Sequence, residues 1–203
     1  MTKKTSGKGT MLMSVLMSAP GPLVVGLGLL AGRSATQLAD FIRRSAELLA
    51  LIVAYLTFRR TASLEAQSPQ KAEMERRSNL FVGLAMCLSG GAMLLIALLG
   101  QESEQGNVVP GLCIAVLGVI ANTIFWLRYR RLSRAQNNAI LAVQSRLYRA
   151  KSLVDLCVTT ALCVVLVWPG SAAAAYFDRI GSVVVSCYLL QCGARTVKEN
   201  RKR

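Results

Sequence analysis

Six ionisable side chains lie inside stretches that otherwise read as hydrocarbon-spanning helix, and they constrain this chain more than any other feature. Asp40, Arg43, Arg44 and Glu47 sit at the front of one apolar run, Lys151 and Asp155 near the front of another. A charge at mid-span costs about 2.5–3.5 kcal/mol on insertion scales. Such groups persist where they face a bundle interior, meet partners of opposite sign, or carry out a function.

The rest of the chain sets the solvent. Of its 203 residues, 53% are hydrophobic and only 17% charged, with a mean hydropathy of +0.45. This excludes a disordered chain or an ordinary soluble domain and points to an all-α, polytopic membrane protein whose main partner is the lipid bilayer. The formal net charge of +14 suggests nucleic acid in a soluble domain. Here the basic residues fall between apolar runs, so membrane topology accounts for them and no nucleic-acid partner is expected. Cys87, Cys113, Cys157, Cys163, Cys187 and Cys192 all lie in or at the end of apolar runs, without a Cys-x-x-Cys pair. They read as small apolar packers, not as disulfides or a zinc site. The absence of histidine removes the commonest metal ligand and the usual proton shuttle.

Apolar runs of spanning length occur at about 11–32, 35–58, 79–100, 108–127, 150–168 and 173–193. They predict a single six-helix transmembrane domain over 1–203. The start, Lys3, Lys4 and Lys8 before MLMSVLMSA, imitates a signal peptide. Pro20 is a poor residue to follow a cleavage site and the run continues to Gly32, so a retained first span is expected. The fifth helix can start earlier than its apolar run, near Asn137, because 139–143 (AILAV) is apolar. Loop charge alternates. The N-terminal tail, the 59–78 loop, the stretch Arg128–Arg149 and the C-terminal tail are basic, whereas the 101–107 loop carries Glu102 and Glu104. By the positive-inside rule both termini are cytoplasmic. The basic loops and tail read first as topology signals, with contact to anionic lipid as the second reading.

Gly28 and Gly32, and Gly90-Gly91 in the third span, mark places for close helix approach, read as routine packing. Trp126, Tyr129, Trp168 and Tyr176 fall near span ends, as an interfacial belt does. No soluble domain is expected after the sixth span, where about ten basic-rich residues remain. The chain shows no phosphate loop, Gly-x-Ser-x-Gly or Ser/His/Asp arrangement, so an enzyme is not expected.

On the second span, Asp40, Arg43, Arg44 and Glu47 are spaced i, i+3, i+4, i+7, which puts them on one broad stripe. Eleven uncharged residues separate Glu47 from Arg59, about 16 Å of helix, so Glu47 is deep. On the fifth span Lys151 and Asp155 share a face at i, i+4. The two helices run in opposite directions. Set side by side, they bring Arg43 level with Asp155 and Glu47 level with Lys151. The six charges sum to zero, as a low-dielectric interior demands. The bland alternative is boundary charge, with Arg43, Arg44 and Lys151 snorkelling and Asp40 near water.

At these residues the sequence resembles the cation diffusion facilitators. SATQLADFIRRSAELLALIVAYLTFRR (34–60) resembles that family's second-span pattern, and SRLYRAKSLVDLCVTTALCVVLV (145–167) its fifth span, which carries His-xxx-Asp. KAEMERRSNLFVGLAMCLSGG (71–91) and YFDRIGSVVVSCYLLQCGARTVKE (176–199) resemble the beginnings of its third and sixth spans. The resemblance implies a homodimeric exporter of divalent metal, zinc or a similar ion, exchanged for protons. It implies an intramembrane site of four ligands, two from each of spans two and five. Those positions are Arg43, Glu47, Lys151 and Asp155 here, with Asp40 and Arg44 flanking. Two of the four are cations. Arginine stays protonated and offers no lone pair, and a lysine beside Glu47 keeps its proton. Glu47 and Asp155 are the metal-capable positions that remain, and metal enters only as substrate, with no resident cofactor.

Three functions follow. The first is a cation-efflux-type transporter of a bacterial cytoplasmic (inner) membrane, its usual metal site replaced by the Arg43, Glu47, Lys151 and Asp155 charge pairs. The second is a transport-inactive membrane scaffold or regulatory subunit. The third is an unrelated anion or organic-ion carrier that uses Arg43, Arg44 and Lys151.

Overall fold

The computed structural model describes residues 7–31, 35–65, 67–99, 108–168 and 172–201. Among the described residues seven helices run in order: α1 (Gly7–Ser18), α2 (Pro20–Ala31), α3 (Ala35–Thr61), α4 (Pro69–Leu99), α5 (Val108–Gln136), α6 (Ala139–Val167) and α7 (Ala172–Arg201). Among the described residues there is no strand. Three stretches of the described residues are long and apolar enough to cross a membrane: Gly7–Leu27, Pro69–Leu98 and Ile180–Arg201. The expected spans 35–58, 108–127 and 150–168 fall on α3, α5 and α6, of 27, 29 and 29 residues. At about 1.5 Å per residue each is long enough for a bilayer core.

The first apolar run is jointed where a single helix was expected. Pro20 lacks an N–H, so the ladder breaks there. The turn is closed by Ala19 N–H on the Val15 carbonyl at 3.0 Å, and Pro20 opens α2 at the position where a missing donor is tolerated. Pro69 opens α4 in the same way. Between α5 and α6 the chain reverses in two residues. Asn137 takes a left-handed conformation, φ 44°, which asparagine adopts more readily than most residues. Asn138 then caps α6, its Oδ1 accepting from Leu141 N at 3.1 Å. The early start that AILAV suggests is therefore what the helix does, and Lys151 lies three turns inside it.

α4 packs along both α3 and α7, α6 along both α5 and α7, and α1 and α2 rest on α3. α3 and α6 approach each other closely at few positions. The core runs along the bundle axis through Met11, Leu51, Met86, Leu141, Tyr148 and Leu189. Leucines such as Leu23, Leu98 and Leu117 stand exposed on the outside, an arrangement suited to lipid and costly in water.

Small residues set the α4–α7 distance. A Cβ on Gly193 would lie 2.8 Å from the Gly83 carbonyl oxygen and 2.6 Å from Cys87 Sγ, and one on Gly90 would lie 2.9 Å from Leu190 Cγ. Gly90 thus serves the close approach expected of it, and Gly91 faces open space. Gly32 lies outside the described residues, as do the surroundings of Gly28.

All six cysteines are free thiols. The expected aromatic belt is only partly found. Trp168 is 66% exposed at the end of α6, but Tyr129 is fully buried, because its hydroxyl has a partner inside the bundle. The side chain of Tyr176 lies outside the described set.

Candidate functional site

α3 delivers Arg43 and Glu47 to the interior, and α6 delivers Lys151 and Asp155. Glu47 is only 5% exposed. Its two carboxylate oxygens have different partners: Oε2 is 3.0 Å from Lys151 Nζ, and Oε1 is 4.0 Å from Arg43 Nη1 on its own helix. The Lys151 ammonium also lies 5.4 Å from the Tyr148 ring centroid, a cation–π distance. The interhelical Glu47–Lys151 contact expected from the spacing is therefore present.

Arg43, expected level with Asp155, lines the same cavity as Asp155. Its Nη1 also reaches Met93 Sδ at 3.8 Å, and its carbonyl accepts from Ser89 Oγ at 3.5 Å, both on α4. Arg44 is exposed and borders the cavity beside Gly21, where a Cβ would come within 3.5 Å of its Nη1. The side chain of Asp40 lies outside the described set.

Asp155 has a partner that sequence spacing did not single out. Asn122 Nδ2 on α5 donates to Asp155 Oδ2 at 2.6 Å. Gly118, one turn earlier on α5, makes room for the carboxylate: a Cβ there would sit 2.7 Å from Oδ2. One turn towards the N-terminus of α6, Thr123 and Ser152 share a 2.6 Å hydroxyl contact.

These side chains border a cavity of about 420 Å³ between α1, α2, α3, α5 and α6. Its floor is aromatic. Phe125 and Tyr148 have centroids 5.1 Å apart, and Tyr129 stacks on Tyr148 at 5.3 Å. Ser14 on α1 ties this cluster to the first helix, its Oγ 2.7 Å from the Tyr129 hydroxyl. The Tyr148 hydroxyl donates to the Ser14 carbonyl at 3.4 Å.

A match to the cation efflux transmembrane domain covers residues 11–203. The chain belongs to the cation efflux family. No curated protein matches it. Family membership makes the chain an integral membrane protein of cation-transporter type. In this cation efflux domain the donor chemistry of the interior is unusual for a metal. Among the described residues no group of three or more His, Cys, Asp or Glu side chains converges to hold an ion. Zinc takes about four N, S or O donors, and one oxygen of Glu47 is already against an ammonium. Two carboxylates, Glu47 and Asp155, and three cations, Arg43, Arg44 and Lys151, thus border one cavity.

Proposed function

We propose that this cation efflux protein is a transporter with six spans and both termini cytoplasmic, in which a tethered cation stands where the metal cargo of its relatives would sit. Lys151 and Arg43 neutralise Glu47, and Asn122 holds Asp155. A divalent cation entering the cavity competes with the Lys151 ammonium for Glu47 and binds weakly. Asp155, held by Asn122, is the other carboxylate on the cavity wall. Occupancy displaces Lys151 from Glu47, so the lysine acts as a built-in counter-ion. The observation that carries this reading is the 3.0 Å contact between Glu47 and Lys151, which joins two of the positions that resemble ligand positions.

Isothermal titration of the purified protein with zinc, manganese and cadmium tests it. The expected result is no micromolar binding. Micromolar binding that disappears in Glu47→Gln or Asp155→Asn overturns it. The second reading, a transport-inactive scaffold or regulatory subunit, draws support from the two cations that engage Glu47. Metal flux into proteoliposomes separates the two: slow, low-affinity flux supports transport, and none, with a co-purifying partner, supports the scaffold.

A further inference from the structure

The cation site leaves a second feature of the bundle unused. On the outer face of α4 and α7 lies a groove of about 640 Å³ lined by Leu84, Cys87, Ala194, Val197, Lys198 and Arg201. Four of these residues are apolar or nearly so, and the two cations stand together at one end. The groove exists because the α4–α7 contact is built from glycines and alanine, which leave no side chain to fill it. Gly83 and Gly193 bring the backbones together, and Ala194 projects only a methyl group. Leu84, 58% exposed, forms one wall.

The charge at its end is not compensated by the nearby acid. Glu199, the neighbour of Lys198, is held by Arg146 from α6 at 2.7 Å and by Arg195 at 3.2 Å. Lys198 and Arg201, spaced i, i+3, share one helix face. They have no acidic partner among the described residues. In water such a pair would be an ordinary solvated helix end, favourable at a helix C-terminus. Here it stands at one end of an apolar groove.

We propose that this groove binds an anionic glycerophospholipid, with its phosphate between Lys198 and Arg201 and an acyl chain laid along Leu84, Cys87, Ala194 and Val197. The pairing of one negative headgroup with an apolar tail matches both ends of the groove. Neither a free anion nor a neutral lipid satisfies both. The proposal depends on the orientation given above only for the leaflet, which is the cytoplasmic one; binding itself is independent of it.

The test uses the full chain, delipidated in a neutral detergent and titrated with phosphatidylglycerol or phosphatidylcholine, with bound lipid counted by native mass spectrometry. Wild type is expected to retain phosphatidylglycerol in preference to phosphatidylcholine. Each basic side chain near an anionic headgroup is worth roughly fivefold in binding, so Lys198→Gln with Arg201→Gln should weaken phosphatidylglycerol roughly thirtyfold. Ala194→Trp keeps both charges and fills the channel, and should also release the lipid. Arg128→Gln with Arg130→Gln, exposed on α5, should change binding less than threefold. Equal retention of the two lipids, an equal loss in the α5 variant, or full retention in Ala194→Trp overturns the proposal. So does a dimer by light scattering that Ala194→Trp dissociates, because the groove is then an interface between copies.

Discussion

Removing either partner of the Glu47–Lys151 contact should destabilise the bundle, and by unequal amounts. Both side chains are withdrawn from water, with 7% and 17% of their surface exposed. Stranding one member of a buried pair costs about 3–5 kcal/mol. Lys151→Met leaves Glu47 with Arg43 at 4.0 Å, so the cost should lie near the low end, about 3 kcal/mol. Glu47→Gln leaves the Lys151 ammonium without its carboxylate and takes one acidic neighbour from Arg43, and should cost about 4–5 kcal/mol. The double change removes both members of the pair, so it should cost no more than Glu47→Gln alone. The resulting coupling, about 3 kcal/mol in size, lies at the upper end of measured interaction energies. Denaturant titration of the detergent-solubilised variants, followed by circular dichroism, gives all four corners of the cycle. Additivity within about 0.5 kcal/mol would refute the pairing. Reversing the charges, Glu47→Lys with Lys151→Glu, should rescue expression only in part, because a cation at position 47 then faces Arg43 one turn away. No improvement over either single change counts against the contact as well.

Two further outcomes follow from the packing. Gly193→Ala places a methyl 2.6 Å from Cys87 Sγ and 2.8 Å from the Gly83 oxygen, an overpacking that should cost about 1–3 kcal/mol in thermal melts, whereas Gly91→Ala, with nothing within 4 Å, should gain about 0.5–1 kcal/mol from helix propensity. Equal effects at the two positions would show that α4 and α7 are not in close contact. Asn122→Ala removes the donor on Asp155 and should cost about 1.5–3 kcal/mol, the range for a hydrogen bond to a charged group; a melt unchanged from wild type would show that the 2.6 Å contact contributes nothing.

The sequence carried the helical architecture and the two charged stripes well, for a physical reason. Period and polarity within one helix report which residues share a face, and charges of opposite sign at matching depth report which faces can meet. That logic reached Glu47 and Lys151, and the apolar AILAV segment correctly lengthened α6. It did not reach Asn122, a lone amide in an apolar run whose partner lies 33 positions away. Such a residue is legible as a polar group in need of a partner, but nothing local says which one. Tyr129 was placed at an interface because it lies near a span end. Ser14, 115 residues distant, draws its hydroxyl inward instead, a contact that no periodicity encodes. The break at Pro20 was available in the sequence, since a missing N–H interrupts any helix. An unbroken apolar run masked it.

Since α3 and α6 approach closely at few positions, the Glu47–Lys151 pair at 3.0 Å bridges the gap that remains between them. Their salt bridge is a strut as much as a neutralising device. Shortening it by one methylene, as in Glu47→Asp, preserves every charge and still forces a choice: the helices draw together and narrow the bore, or the strut parts and the bore widens. The calibre of the interior thus answers to side-chain length as well as to charge balance.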